Sequence, residues 1–200
     1  MPLIKGDRIA EDPWITVGDE EVLPEGAPAI VSLARWRAER DTLAGRNAPL
    51  GIRLRADQPP GEIAAELDRF QVIALEFPSF GDGRAYSYAR LLRARHGYRG
   101  ELRAVGQVLR DQALFMRRCG FDAFEVAAGT GVAGWREALG EISVFYQPAE
   151  DGRPAAHGLR RNGNAATPTP AADVVHDEDP GPSSPERDLS TERLGNDGYR

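Results

Sequence analysis

Two short loops hold the residues best suited to chemistry. Gly81-Asp82-Gly83-Arg84 follows an apolar run and opens a helical pattern, and Arg110-Asp111-Gln112 follows the next apolar run in the same way. Glycine lets backbone N–H groups approach a ligand, a helix N-terminus favours negative charge, and arginine can give two parallel bonds to a phosphate, sulfate or sulfite. The candidate anion site is therefore Asp82, Gly83, Arg84, Tyr86, Arg110, Asp111 and Gln112, with Arg84 and Arg110 clamping one doubly charged oxyanion and the two aspartates orienting them. A plain turn, with Asp82 capping the helix and the glycines at positive φ, would use the same residues, so cap and site stay open side by side. Gln112 falls on the helical line joining Val108, Phe115 and Cys119, where a buried amide must find partners.

A second set of charged residues sits inside strand patterns. Arg53, Glu76, Arg103 and Glu125 each interrupt or end an apolar run, and their signs alternate along successive strands. Strands of an open, doubly wound sheet are covered on both faces and read as continuous apolar runs. Opposite charges on neighbouring strands fit better on a shared inner surface, as a curved sheet provides.

The elements that must position these groups alternate regularly. Strands are predicted at 29–33, 50–55, 72–76, 101–106, 122–127 and 142–146, with helices at 34–44, 62–69, 84–95, 108–119 and 132–139 between them. That rhythm predicts an α/β fold with a mostly parallel sheet and right-handed crossovers. A partial (β/α) barrel is favoured, with an open doubly wound sheet as the alternative. Too few strands are predicted to close a barrel, so either it is incomplete or two chains cooperate as a homodimer. Residues 1–28 form a lead-in with one strand candidate at 14–17, residues 29–149 the βα domain, and residues 150–200 a Pro/Gly-rich acidic segment expected to be disordered.

Composition bounds the function. With 25 basic and 31 acidic residues the net charge is −6, which argues against a nucleic-acid surface or adhesion to anionic membrane. The single cysteine, Cys119, excludes an internal disulfide, a CxxC pair and a cysteine-held iron–sulfur cluster, and its helical position reads as packing. His96, His157 and His176 do not make a metal set. Gly129-Thr130-Gly131-Val132-Ala133-Gly134 matches GxGxxG formally, but no second half-domain follows. No apolar leader or membrane-length run is present, so a cytoplasmic protein is expected.

The run from Phe77 to Val126, with FGDGRAYSYARLLR, GELRAVG, VLRDQ and RCGFDAFEV in order, resembles an uncharacterised bacterial family. Its members carry the label of an oxidoreductase of sulfite reduction and are associated with sulfite and adenylyl-sulfate reductase systems. The resemblance implies an accessory or small-oxyanion-binding protein of assimilatory sulfate and sulfite reduction, with components of those reductases as partners. The alternative it leaves is an oxidoreductase or transferase using a cofactor borrowed from a partner, with Glu76, Arg103 and Glu125 at the barrel mouth. No intrinsic cofactor is expected.

Overall fold

The computed structural model describes residues 1–6 and 8–161; the greater part of the acidic segment expected to be disordered, residues 162–200, lies outside them. Eight strands form one sheet: β1 (Leu3–Lys5), β2 (Arg8–Ala10), β3 (Ile15–Thr16), β4 (Ala29–Ser32), β5 (Leu50–Leu54), β6 (Val72–Phe77), β7 (Glu101–Gly106) and β8 (Ala123–Glu125). Their order is β2-β1-β8-β7-β6-β5-β4-β3; β3 to β8 are parallel, and β1 runs antiparallel to both β8 and β2.

Because β4 to β8 follow one another in sequence and in space, right-handed crossovers put every connection on the same face. The helices on that face are α1 (Leu33–Ala38), α2 (Arg40–Ala44), α3 (Arg84–Arg90), α4 (Ala113–Cys119) and α5 (Val132–Gly140). Val31, Ile52, Ile73, Leu75, Leu102 and Phe124 point into them and share one core with Leu33, Trp36, Ala89, Leu92, Met116 and Trp135. The alternate strand residues face the other way. There Ile30, Val72, Ala74 and Val105 make a small second cluster under Trp14, and the strand charges lie among them.

The sheet must curl, and chain length alone shows it. Seven inter-strand steps of about 4.8 Å make an arc of roughly 34 Å between the edges. Yet β2 and β3, on opposite edges, are joined only by residues 11–14. Five residue steps reach at most about 18 Å. The connection therefore straps across the inner face of a half-barrel, and it is anchored there: Asp12 grips Arg103 through Oδ2–Nη1 at 2.7 Å and Oδ1–Nη2 at 2.9 Å.

Several predicted elements are resolved differently. The helix expected at 34–44 breaks at Glu39, residues 60–69 wind as a 3-10 helix, and α3 continues as a π turn over Leu91–Arg95. Residues 142–146 form no strand; Phe145 makes a single bridge to Ala155, and a short helix, α6 (Ala156–Arg161), lies in the segment whose composition predicts disorder. Arg118 holds this part down, stacking 3.6 Å from the Phe145 ring and donating to the Gln147 carbonyl. The lead-in contributes three strands where the sequence pattern suggests one. Among the described residues no helix is long and apolar enough to cross a membrane, and no group of three or more His, Cys, Asp or Glu is placed to hold a metal ion.

Candidate functional site at the carboxyl-end mouth

The four strand charges do share the inner face. Arg53 on β5 meets Glu76 on β6 at 3.2 Å, and Arg103 on β7 meets Glu125 on β8 at 3.4 Å. Their environments differ. Arg103 is only 1% exposed and fully engaged, since Glu101 takes its Nε at 2.8 Å while Asp12 takes both terminal nitrogens. Lys5 adds a bond to Glu101 at 2.6 Å. This half of the inner face is a closed ionic network that holds the strap. Arg53, 38% exposed at the side chain, uses only Nη2 on Glu76 among the described residues. It faces a cavity of about 330 Å³ at the carboxyl end of β4, β5 and β6.

Local folding builds that cavity from three directions. On one side Arg35 in α1 donates to the carbonyls of Gly18 and Glu21 at 2.6 and 2.7 Å, pinning the loop that presents Asp19. Asp19 in turn accepts from Ser32 Oγ at 2.5 Å, while the same hydroxyl caps α1 through the Arg35 N–H. On the second side a turn at Arg55–Gln58 closes on itself, with the Arg55 N–H on Gln58 Oε1 and the Gln58 N–H on the Arg55 carbonyl, both 2.9 Å. Glu76 and Arg53 close the third side.

The turn at Arg55 is docked on α3, because Tyr88 Oη donates to the Ala56 carbonyl at 2.9 Å. Tyr88 lies one helical turn beyond Arg84, on the same helix face. Arg84 consequently lies within electrostatic range of the Arg55–Asp57 turn: the Asp57 carboxyl is lowered first by its bond from Arg55, with a smaller contribution from the Arg84 charge. The two arginines are built alike. Arg84 Nε and Nη2 grip Asp82 at 3.0 and 2.6 Å; Arg55 Nε and Nη2 grip Asp57 at 3.1 Å each. In both, the aspartate takes Nε and one N–H of Nη2, and leaves Nη1 and the outer N–H of Nη2 without a bond among the described residues. Arg84 holds the Asp82 carboxyl down at about 2.

The other predicted partner, Arg110, is elsewhere. It bonds Glu137 on α5 at 3.1 Å and rests on Gly134, where a Cβ would stand 3.5 Å from its side chain. Asp111 is exposed without a bonded partner among the described residues, and its charge helps raise the Tyr86 hydroxyl. Tyr86 does not line the mouth: it packs between Phe77 and Phe115 at 5.0 and 4.7 Å, its hydroxyl is buried without a hydrogen bond, and burial pushes it up to about 12. Gln112 is half-buried rather than on the core stripe. Residues 110–112 wind as a 3-10 turn before α4 begins, so the stripe shifts to Ala113, Met116 and Cys119, and Phe115 turns outward at 56% exposure. Burial raises the Cys119 thiol, as fits a packing residue.

The GTGVAG segment places Gly131 at the cap of α5 and Gly134 under Arg110. A second cavity of about 330 Å³ lies at the amino-terminal end of the strands beside Arg93 and Arg117. Arg93 is committed there to structure, donating to the carbonyls of Gly120, Tyr98 and Gly100 and pairing with Asp122.

The sequence reading missed Arg55, Asp57, Asp19, Ser32 and Gln58. One signal was available: Arg55-Ala56-Asp57 and Asp82-Gly83-Arg84 place an acid and an arginine two residues apart, in mirrored order, just past two consecutive strands.

No curated protein and no solved structure matches the chain. The model of one family, DUF934, described as bacterial protein of unknown function, matches residues 51–157, which takes in β5 from its second residue, β6 to β8, Arg53, both Arg–Asp units and Glu76. The chain belongs to this bacterial family.

Proposed function

We propose that the protein is a small-oxyanion-binding accessory protein of assimilatory sulfate and sulfite reduction, acting with components of the sulfite or adenylyl-sulfate reductase system. In this reading the oxyanion lies at the carboxyl-end mouth, between the open guanidinium ends of Arg55 and Arg84. The observation that carries it is the like construction of the two units, each with an aspartate orienting the arginine from the Nε side. An arginine fixed in this way loses little freedom when it takes up a second acceptor. The likeness of Phe77–Val126 to a family associated with sulfite reduction supports sulfur oxyanions as the class.

The expected affinity per arginine is modest. A bond to a charged group is worth about 1.5–3 kcal/mol, but both side chains are more than half exposed and partly neutralised by their aspartates. What remains per arginine is roughly a two- to fivefold change in affinity. The test is calorimetric titration of sulfite and sulfate into wild type, Arg55→Ala, Arg84→Ala and Arg110→Ala, with growth on sulfate as sole sulfur source in parallel. Weaker binding in the first two variants and none of that loss in the third supports the reading. Equal binding in all four proteins, or no binding in wild type, overturns it. Poor growth of the Arg55 and Arg84 variants without oxyanion binding by wild type would instead assign this edge to a protein partner.

A further inference from the structure

We infer that the oxyanion at the mouth is one end of a larger ligand, a sulfate or phosphate ester of a polyhydroxylated carbon skeleton of sugar or nucleoside type, rather than a free inorganic ion. This rests on the oxyanion reading above and names its ligand class. The first ground is room. Liquid water takes about 30 Å³ per molecule, so the cavity of about 330 Å³ beside the clamp has space for roughly ten waters, several times the bulk of one tetrahedral oxyanion. It falls at the lower end of the volumes that organic ligands occupy.

The second ground is the chemistry of the wall. Arg55 belongs to both places, lining the cavity while its guanidinium forms half of the clamp. Beyond it the cavity carries one cation, Arg53, against two anions, Asp19 and Glu76, so it does not call for a second anion. Its open groups are carboxylate acceptors, the Gln58 amide and the nitrogens of Arg53 not used on Glu76. Asp19 has Oδ1 on Ser32 and Oδ2 unbonded among the described residues; Glu76 has Oε2 on Arg53 and Oε1 unbonded; Gln58 uses its Oε1 and keeps its NH₂. Hydroxyl groups both donate and accept, and a carboxylate on vicinal hydroxyls is a recurrent way of holding a sugar ring. Val17 and Ala34 supply an apolar side for the carbon skeleton.

The experiment uses pairs matched in the head group: ribose 5-phosphate against inorganic phosphate, and glucose 6-sulfate against inorganic sulfate, titrated into the full chain. The ester in each pair is expected to bind at least tenfold more tightly than its inorganic partner, with Asp19→Ala reducing that ratio at least threefold. Asp19 is exposed, so circular dichroism of the variant should match wild type. Equal affinities within each pair overturn this inference while leaving the oxyanion reading in place, and an undiminished ratio in Asp19→Ala overturns the cavity as the seat of the skeleton. Absence of binding by all four probes overturns both.

Discussion

Replacing Asp12 by Ala should loosen the half-barrel measurably, and the structure sets the size of the effect. Asp12 supplies two charge-assisted bonds, at 2.7 and 2.9 Å, to a guanidinium that is 1% exposed. Removing one partner of a fully buried pair costs about 3–5 kcal/mol, because the remaining charge is stranded. Arg103 is not stranded here, since Glu101 at 2.8 Å and Glu125 at 3.4 Å still neutralise it, and the Asp12 side chain is 24% exposed. The loss should therefore fall to about 2–3 kcal/mol, between the worth of a charged hydrogen bond and the full buried-pair penalty. For a domain of this size that corresponds to a drop in Tm of about 4–12 °C. Urea denaturation followed by circular dichroism gives the number, and Trp14 fluorescence reports whether the strap itself lifts. A second variant, Arg103→Met, closes a double-mutant cycle with Asp12→Ala that isolates their coupling. A loss below about 0.5 kcal/mol, the range of ordinary surface changes, would refute the idea that this ion pair holds the strap.

Other expectations follow from single residues. The Asp82 carboxyl should titrate near 2 in wild type and return toward the ordinary aspartate range, near 4, in Arg84→Ala, as read by carboxyl NMR. Because its folded value is depressed, whatever stability the pair provides is complete above the unfolded value and is lost as pH falls toward 2. Tyr86→Phe removes a buried hydroxyl that has no partner, so chemical denaturation should find the variant as stable as wild type or up to about 1 kcal/mol more stable. Gly106→Ala should destabilise by about 2 kcal/mol or more, because Gly106 has φ 89° and a Cβ would meet the Phe77 carbonyl oxygen at 2.5 Å. Gly61→Ala, with open space around it, serves as the control in the same denaturation series.

The parallel core of the fold was legible because its signals are local. Alternation of βα units pointed to a mostly parallel sheet with right-handed crossovers, and the misplaced charges Arg53, Glu76, Arg103 and Glu125 pointed to a curved inner face. What escaped depends on contacts distant in sequence. β1 and β2 are three residues each and exist because Ile4 lies against Phe124 and Ile9, so no periodicity could mark them. The Arg55 turn is docked on α3, the helix that carries Arg84, by a bond between residues 32 apart, Tyr88 to Ala56. Gln112 was misplaced by a single residue because a 3-10 turn advances the chain by a different angle from an α-helix.

The strap also has a consequence for how the molecule is made. Residues 3–16 provide both edges of the sheet, β1 and β2 beside β8 at one end and β3 beside β4 at the other. Ile4 can pair locally with Ile9, but it joins the sheet only when Phe124, 120 residues downstream, is in place, while Thr16 needs only Ile30. Contacts of such long separation raise contact order and slow folding, and they leave strand edges unpaired until late synthesis. During translation the parallel strands can assemble one crossover at a time, with β3 joining early and the amino-terminal hairpin last. In that order Arg103 lacks Asp12 until the hairpin docks, so their pairing closes the sheet rather than starting it.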